Sequence, residues 1–114
     1  MPRIKEIRVS DLYRMLREHD HFELIDIRTG AEIERGVLPD AVTLPMHLVP
    51  LKLKFFTEAG KQFVIYCRTG SRSAQVCRFL QQQGIHNVIS LRGGFVKWAA
   101  SGYPIDQKPR GIVD

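Results

Sequence analysis

Cysteine is scarce in this sequence of 114 residues, which contains only Cys67 and Cys77. Two cysteines in a chain of this length do not make a disulfide framework. Long apolar runs are also missing, since a membrane span needs ~18–20 apolar residues and the longest stretches here are much shorter. The first twenty residues alternate charged and apolar side chains and contain no apolar segment of the secretory kind. These absences predict a cytoplasmic protein with free thiols and no membrane partner.

Blocks of basic residues are absent as well, although the formal net charge is +5. Nucleic-acid-binding surfaces combine clustered basic residues with aromatic stacking platforms, and neither pattern occurs here. We therefore expect no nucleic-acid partner and a solvated basic surface, whose field would also steer a small anionic substrate. No metal-ligand spacing, phosphate-binding loop or dinucleotide fingerprint is present, and the pair Gly93-Gly94 alone is too weak a signal. The sequence thus predicts neither a metal nor a cofactor.

The chain length predicts one domain that spans residues 1–114. Short apolar runs predict five strands, at 6–9, 22–27, 41–45, 62–67 and 86–91. Helical spacing predicts helices from an N-cap at Ser10 to about Glu18, over 73–84 and over 95–102. Strands that alternate with helices indicate an α/β fold, here a doubly wound, mostly parallel five-stranded sheet flanked by helices. Ligands of such sheets bind at the carboxyl ends of the strands.

The segment VIYCRTGSRSA, residues 64–74, places Cys67 at one of these strand ends, directly before a helix. A helix N-terminus carries a partial positive charge and unpaired N–H groups. Thr69, Gly70 and Ser71 are small enough for the loop to curl into an anion-binding nest, and Arg68 and Arg72 add full charges. Each feature favours the thiolate over the thiol. The alternative is a small apolar residue that ends a buried strand, but the loop composition favours a nucleophile.

The remaining candidate residues have plainer interpretations. Cys77 shares a helix face with Ala74 and Leu80, which predicts a buried core thiol. Asp26 and Arg28 stand at a strand end, where a structural ion pair is favoured over a role in orienting the loop or the donor. Arg92, before the glycine pair, has the same two interpretations, and Trp98 is expected in the core. The stretch 47–56 alternates like a strand from Leu51 to Phe55, but a helix opened by Pro50 is favoured. The apolar part, Leu48–Phe56, is either core or an exposed docking surface.

Four segments resemble the rhodanese (sulfurtransferase) superfamily. CRTGSRSA, residues 67–74, is similar to its active-site loop, and LIDIR, residues 24–28, to its LIDVR segment. GVLPDAVTLP, residues 36–45, resembles its G-H-I-P-G-A-x-x-I-P segment, except that Val37 replaces the histidine and Asp40 the second glycine. LRGGFVKWAASGYPI, residues 91–105, resembles its L-x-G-G-x-x-x-W-x-x-x-G-x-P tail. Any role of the family's histidine cannot be transferred to Val37.

The resemblance implies a single-domain sulfurtransferase in which Cys67 is the catalytic nucleophile. In that family the cysteine takes the outer sulfur of a donor such as thiosulfate, becomes a persulfide and passes the sulfur to cyanide or a thiol, which a protein can supply. The loop matching Arg68 to Ser73 (Arg68, Thr69, Gly70, Ser71, Arg72 and Ser73) would hold the transferred sulfur with its backbone N–H groups, and Arg68 and Arg72 would bind an anionic donor. A persulfide relay that serves a partner protein, with little turnover of free thiosulfate, is the alternative. Related phosphatases have Cys-x5-Arg, whereas this loop is Cys-x4-Arg, which suits a single sulfur atom.

Overall fold

A computed structural model describes residues 3–58 and 60–114 of the chain. Six strands form one sheet: β1 (Lys5–Ile7), β2 (Glu23–Asp26), β3 (Val42–Thr43), β4 (Phe63–Tyr66), β5 (Val88–Leu91) and β6 (Gly111–Ile112). Four α-helices connect them: α1 (Val9–Arg17), α2 (Gly30–Ile33), α3 (Ser71–Gln82) and α4 (Gly94–Ala100). Two 3-10 helices, Met46–Leu51 and Leu53–Thr57, lie between β3 and β4. None of the described helices has the length and apolarity that crossing a bilayer requires.

All neighbouring strands of the sheet pair in parallel, in the order β1-β5-β4-β2-β3-β6. The predicted α/β architecture with a parallel sheet is therefore confirmed, but the sheet has six strands rather than five. The extra strand, β6, pairs with the edge of β3 through Val42–Gly111 and Thr43–Ile112. It was missed because two residues in a polar, proline-containing tail have no hydrophobic period to recognise.

The core has two layers, one on each face of the sheet. Along the fully buried strand β4, Phe63 and Ile65 belong to one apolar cluster and Val64 and Tyr66 to the other. This separation follows from the two-residue period of a strand, which points successive side chains to opposite faces. Two helical faces cover the layers, and each buries one of the residues that the sequence assigned to the core: Cys77 of α3 and Trp98 of α4.

Several predicted boundaries differ from the structure. Helix α1 begins at Val9, not after Ser10, because the carboxylate of Asp11 accepts the N–H of the N-cap residue Arg8. The predicted helix over 47–56 is instead two 3-10 helices, in which Val49 and Phe56 are buried and Leu51 is exposed. This segment is therefore mostly core.

Two further elements concern the site. Helix α3 begins at Ser71, two residues earlier than predicted, because Gly70 adopts the left-handed conformation (φ 107°) at its N-cap. Helix α2 was not predicted at all. It is only four residues long, and its Thr29 and Glu32 cap each other reciprocally: the Glu32 N–H donates to Oγ1 of Thr29, and the Thr29 N–H donates to Oε1 of Glu32.

Candidate functional site

The sulfur of Cys67 lies inside the turn that joins β4 to α3. Cys67 follows the last residue of β4 and is fully buried. Its Sγ accepts hydrogen bonds from the N–H of Gly70 at 3.1 Å and from the N–H of Ser73 at 3.3 Å. Ser73 is the third residue of α3, so its N–H is one of the donors that a helix leaves without a partner in its first turn. The predicted nest of backbone donors therefore surrounds the sulfur.

Two serine hydroxyls also lie at this sulfur, one in contact with it and one behind the first. Oγ of Ser73 lies 3.6 Å from Sγ of Cys67, close enough to accept the S–H of a thiol or to donate to a thiolate. The hydroxyls of Ser73 and Ser90 are 2.7 Å apart, and both residues are buried. Ser90 lies on β5, next to β4, and is not among the site residues predicted from the sequence. Only the pairing of β4 with β5 brings it to the site.

The two cysteines differ in acidity because their surroundings differ. Burial raises the pKa of the Cys67 thiol, but hydrogen bonds donated by Ser73, from both backbone and side chain, and by the Gly70 and Thr69 backbones outweigh it. The net effect lowers the pKa of Cys67 below its ordinary value. Burial without such donors raises the pKa of Cys77 to about 12. Of the two thiols, Cys67 is thus the one whose surroundings favour the thiolate.

Helix α4 fixes the direction in which the loop's peptide groups point. The N–H of Phe95 donates to the carbonyl of Cys67 at 2.9 Å, and the N–H of Val96 donates to that of Arg68 at 3.0 Å. Because a peptide N–H points away from the carbonyl of the same peptide group, these bonds direct the N–H groups of Arg68 and Thr69 away from α4. The N–H groups of Ser71 and Arg72, in the first turn of α3, also have no backbone acceptor among the described residues. The loop therefore keeps donors that the backbone does not use.

Gly94 makes this contact possible. Its φ is +56°, and a Cβ placed there would lie 2.5 Å from the carbonyl oxygen of Cys67 and 2.6 Å from that of Arg68. Any side chain would push α4 away from the loop. The pair Gly93-Gly94, which the sequence predicted only as a tight turn, is thus a packing surface for the Cys67 loop.

The two loop arginines are in different electrostatic states. Arg72 forms a bidentate pair with Glu32 of α2, at 3.0 and 2.9 Å. Its hydrogen bond, together with those from Thr29, lowers the pKa of Glu32 to about 2. Arg68 is exposed and forms no ion pair with any described residue. Glu32 was missed by the sequence analysis, although the pattern Thr29-x-x-Glu32 is a capping-box signature that could have indicated it.

Asp26 and Arg28 form a buried ion pair, with Oδ2 of Asp26 2.7 Å from a terminal nitrogen of Arg28. The same nitrogen donates to the carbonyl of Gly36, and the hydroxyl of Tyr66 donates to Oδ2 of Asp26 at 2.6 Å. The guanidinium also lies 4.3 Å from the ring centroid of Phe95. This pair joins β2, β4 and α4 beneath the site, which agrees with the structural interpretation.

Arg92 and the two departures from the family pattern have local explanations. Arg92 is exposed and pairs with Glu6 of β1 at 3.1 Å. Val37 is buried, and its N–H and carbonyl both bond to the backbone of Asp106. Asp40, which stands where the family pattern has glycine, adopts a φ of 62°. The position therefore keeps the left-handed conformation that glycine adopts most easily, and aspartate is one of the side chains that tolerate it.

A cleft of about 670 Å³ adjoins the Cys67 loop. It is mostly apolar and lies between Arg72, the start of α2 and the segment after β3; its lining is Ile27, Arg28, Thr29, Gly30, Pro45, Met46, His47 and Arg72. Within residues 3–58 and 60–114, no three His, Cys, Asp or Glu side chains come close enough together to hold a metal ion. The chemistry that the site offers is that of an acidic thiol in a cradle of N–H donors.

Comparison with known proteins agrees with this arrangement. The sulfurtransferase of Allochromatium vinosum is 45% identical over 102 residues, which cover 90% of this chain and 94% of that protein. The putative sulfurtransferase YtwF of Bacillus subtilis is 34% identical over 101 residues, covering 89% and 96%. The crystal structure of a rhodanese-related protein from Thermoplasma volcanium superposes with a TM-score of 0.80 at 28% identity, covering 91% of this chain and 99% of that one. The family model of the rhodanese-like domain matches residues 8–101, and the chain therefore belongs to the rhodanese-like family.

Proposed function

We propose that this protein is a sulfurtransferase that carries sulfane sulfur as a persulfide on Cys67. The observation that carries the proposal is the pair of N–H donors, from Gly70 and Ser73, at 3.1 and 3.3 Å from Sγ of a cysteine whose pKa lies below its ordinary value. Such donors stabilise a thiolate before the reaction and a charged sulfur during it. The names of the two sulfurtransferase relatives support the same activity.

The proposed donor is thiosulfate or a similar anion. The thiolate of Cys67 attacks the outer sulfur of thiosulfate, a sulfur–sulfur bond forms to Sγ, and the bond to the sulfonate sulfur breaks with departure of sulfite. The outer sulfur of the resulting persulfide is anionic, and the N–H groups of Thr69, Ser71 and Arg72, which have no backbone acceptor among the described residues, would stabilise it. Cyanide or a thiolate then attacks that outer sulfur, and Cys67 leaves as a thiolate. The surrounding donors favour the thiolate, so the step requires no general base.

The length of the loop argues against phosphate-ester hydrolysis. Four residues separate Cys67 from Arg72. The turn closes tightly enough for two N–H groups to contact Sγ itself. A phosphate group needs a wider ring of donors than one sulfur atom does. Hydrolysis of an aryl phosphate that depends on Cys67 would contradict this inference.

The direct test is the formation of thiocyanate from thiosulfate and cyanide. We expect activity in the wild type, loss of more than about 100-fold in Cys67→Ser, and near-normal activity in the control Cys77→Ala, whose thiol lies in the core. Equal activity in the wild type and Cys67→Ser would refute the role of Cys67 as nucleophile.

A persulfide relay is the second candidate. Because Glu32 neutralises Arg72, Arg68 is the loop arginine whose charge is available to a small dianion. One charge in place of two weakens the binding of free thiosulfate, which favours a donor that is a protein. Intact mass spectrometry separates the two candidates. If incubation with thiosulfate adds one sulfur atom to Cys67, the protein uses a free donor. If the sulfur is added only by a persulfidated protein, the protein is a relay.

A further inference from the structure

A second cleft lies on the other side of the Glu32–Arg72 pair, between α2, α4 and the Cys67 loop. It encloses about 360 Å³ and is lined by Arg28, Ala31, Glu32, Arg35, Arg68, Phe95 and Val96. We refer to it as the Arg35–Arg68 cleft. Arg35 makes no contact with the Cys67 loop among the hydrogen bonds and ion pairs of the described residues.

The charges that line this cleft do not cancel. Arg28 is neutralised by Asp26 below it, and Glu32 is neutralised by Arg72 beside it. Arg35 and Arg68 remain, both exposed, and neither forms an ion pair within the described part of the chain. Two guanidinium groups that pair with no carboxylate of the described residues favour an anionic ligand in this cleft. Planar guanidinium groups bind carboxylates in a bidentate manner.

The position of the cleft limits which substrate it can serve. Arg68 directly follows Cys67, but Cys67 does not line the cleft, and the Glu32–Arg72 pair stands between this cleft and the 670 Å³ cleft. A group bound to Arg35 therefore lies in a cleft that Cys67 does not line. In thiosulfate the sulfonate is bonded directly to the transferred sulfur, so a thiosulfate held by Arg35 would keep that sulfur in the cleft. A substrate that uses Arg35 needs further atoms between its anionic group and its reacting sulfur.

The apolar part of the lining suits the carbon chain of such a substrate. Phe95 is half-buried, Val96 is 43% exposed, and Ala31 is exposed beside them. Methylene groups can cover these side chains while a terminal carboxylate reaches the arginines. The cleft thus combines an apolar floor with two positive charges near the nucleophile.

We infer that the Arg35–Arg68 cleft binds the carboxylates of the sulfur acceptor, a cysteinyl thiol flanked by acidic groups. The inference rests on the proposed function. The acceptor thiol loses its proton to solvent and attacks the outer sulfur of the Cys67 persulfide. The new sulfur–sulfur bond forms on the acceptor, the bond to Sγ breaks, and Cys67 leaves with the electron pair as a thiolate. The acceptor's carboxylates can come from a small peptide or from a protein segment.

The test uses Cys67 loaded with one sulfur atom by thiosulfate, freed of excess donor and checked by intact mass. Loaded protein is mixed with acetyl-Glu-Cys-Glu-amide or with its neutral match, acetyl-Gln-Cys-Gln-amide, and the loss of the sulfur atom is followed. We expect Arg35→Gln to lower the second-order rate constant about tenfold for the acidic peptide. The decrease for the neutral peptide should be severalfold smaller. Arg35→Glu should lower it further and should favour acetyl-Lys-Cys-Lys-amide. The control Arg78→Gln removes the same charge from an exposed position on α3 and should leave both rates unchanged.

Each outcome separates this inference from the proposed function. If Cys67 cannot be loaded by any sulfane donor, the proposed function fails. If Cys67 is loaded and transfers sulfur, but Arg35→Gln changes the rates of both peptides equally, the acceptor subsite is refuted and the sulfurtransferase activity stands. A third outcome is that Arg35→Gln slows sulfur transfer to an acidic protein but not to the acidic peptide. That result would assign the cleft to a protein partner and refute its use by small thiols.

Discussion

At the scale of single residues, the acidity of Cys67 depends on uncharged hydrogen-bond donors more than on arginine. The four donors that lower its pKa are the backbone and hydroxyl of Ser73 and the backbones of Gly70 and Thr69. Arg72, which the sequence suggested as a direct source of positive charge, shares its charge with Glu32. The loop thus stabilises a thiolate with neutral donors, without an unpaired cation on the sulfur.

Replacing the hydroxyl of Ser73 should therefore weaken the thiolate. We expect Ser73→Ala to raise the pKa of Cys67 by about one unit, because one hydrogen bond to a charged group is lost. The ultraviolet absorbance of the thiolate, followed against pH, measures this directly, and Cys77 does not interfere because its pKa is about 12. Ser10→Ala, at an exposed position of α1, is the control. An unchanged titration in Ser73→Ala would assign the acidity to the backbone donors alone.

The sequence predicted most of the residues that contact Sγ, but not the residues that hydrogen-bond to the side chains of the loop. Gly70 and Ser73 follow Cys67 directly, so a local motif revealed them. Ser90 and Glu32 come from other elements, 17 and 40 residues from their partners Ser73 and Arg72. A single serine in an apolar strand and a single glutamate after a turn carry no periodic signal. Their roles depend on strand order and on side-chain direction, which the sequence alone did not fix.

At the scale of elements, both α3 and α4 hold the Cys67 loop in its conformation. The N-terminus of α3 supplies donors to the sulfur, and the N-terminus of α4 binds the carbonyls on the loop's other side. Strand β4 and helix α3 could be predicted because a continuous apolar run and a helical period are long signals. Helix α2 and strand β6 have four and two residues, too few for either period to show.

The contact of α4 with the loop can be tested at Gly94. We expect Gly94→Ala to lower the free energy of unfolding by roughly 2–4 kcal/mol, because the new Cβ meets two carbonyl oxygens at a φ of +56°. Urea unfolding measures the loss, and thiocyanate formation should fall with it.

The matched control is Gly30→Ala in α2. A Cβ at Gly30 has no neighbour within 4 Å, and its φ is not positive, so stability should change by less than about 1 kcal/mol. Equal stability of the two alanine variants would contradict the packing role assigned to Gly94.

At the scale of the whole molecule, the Glu32–Arg72 pair makes stability depend on pH. The pKa of Glu32 is lowered from 4.5 to about 2 in the folded protein. A lowered pKa contributes stability that is fully present above the unfolded value and is lost as the pH falls through the folded value. The contribution of Glu32 should therefore be complete above about pH 5 and should disappear between pH 4.5 and pH 2.

Glu32→Gln should remove this contribution. We expect it to lower the free energy of unfolding by about 1–2 kcal/mol at pH 7, with the difference from the wild type shrinking as the pH falls toward 2. Urea titrations at several pH values measure both quantities. Glu34→Gln changes the net charge equally at an exposed position without an ion pair among the described residues, and should show no such convergence. A difference that stays constant from pH 7 to pH 2 would show that the Glu32 carboxylate acts through packing alone.

The hydrogen bonds from α4 also tie the loop around Cys67 to the order of synthesis. Chains leave the ribosome from the N-terminus at about 5–20 residues per second, and domains generally fold as units. The carbonyls of Cys67 and Arg68 find their partners only at Phe95 and Val96, almost thirty residues later in synthesis. Until that segment has emerged, the turn around Sγ lacks the contacts that orient its donors. The loop around Cys67 therefore reaches its final hydrogen-bonded form only after residues 95 and 96 have been made, and the pKa of the thiol reaches its folded value only then.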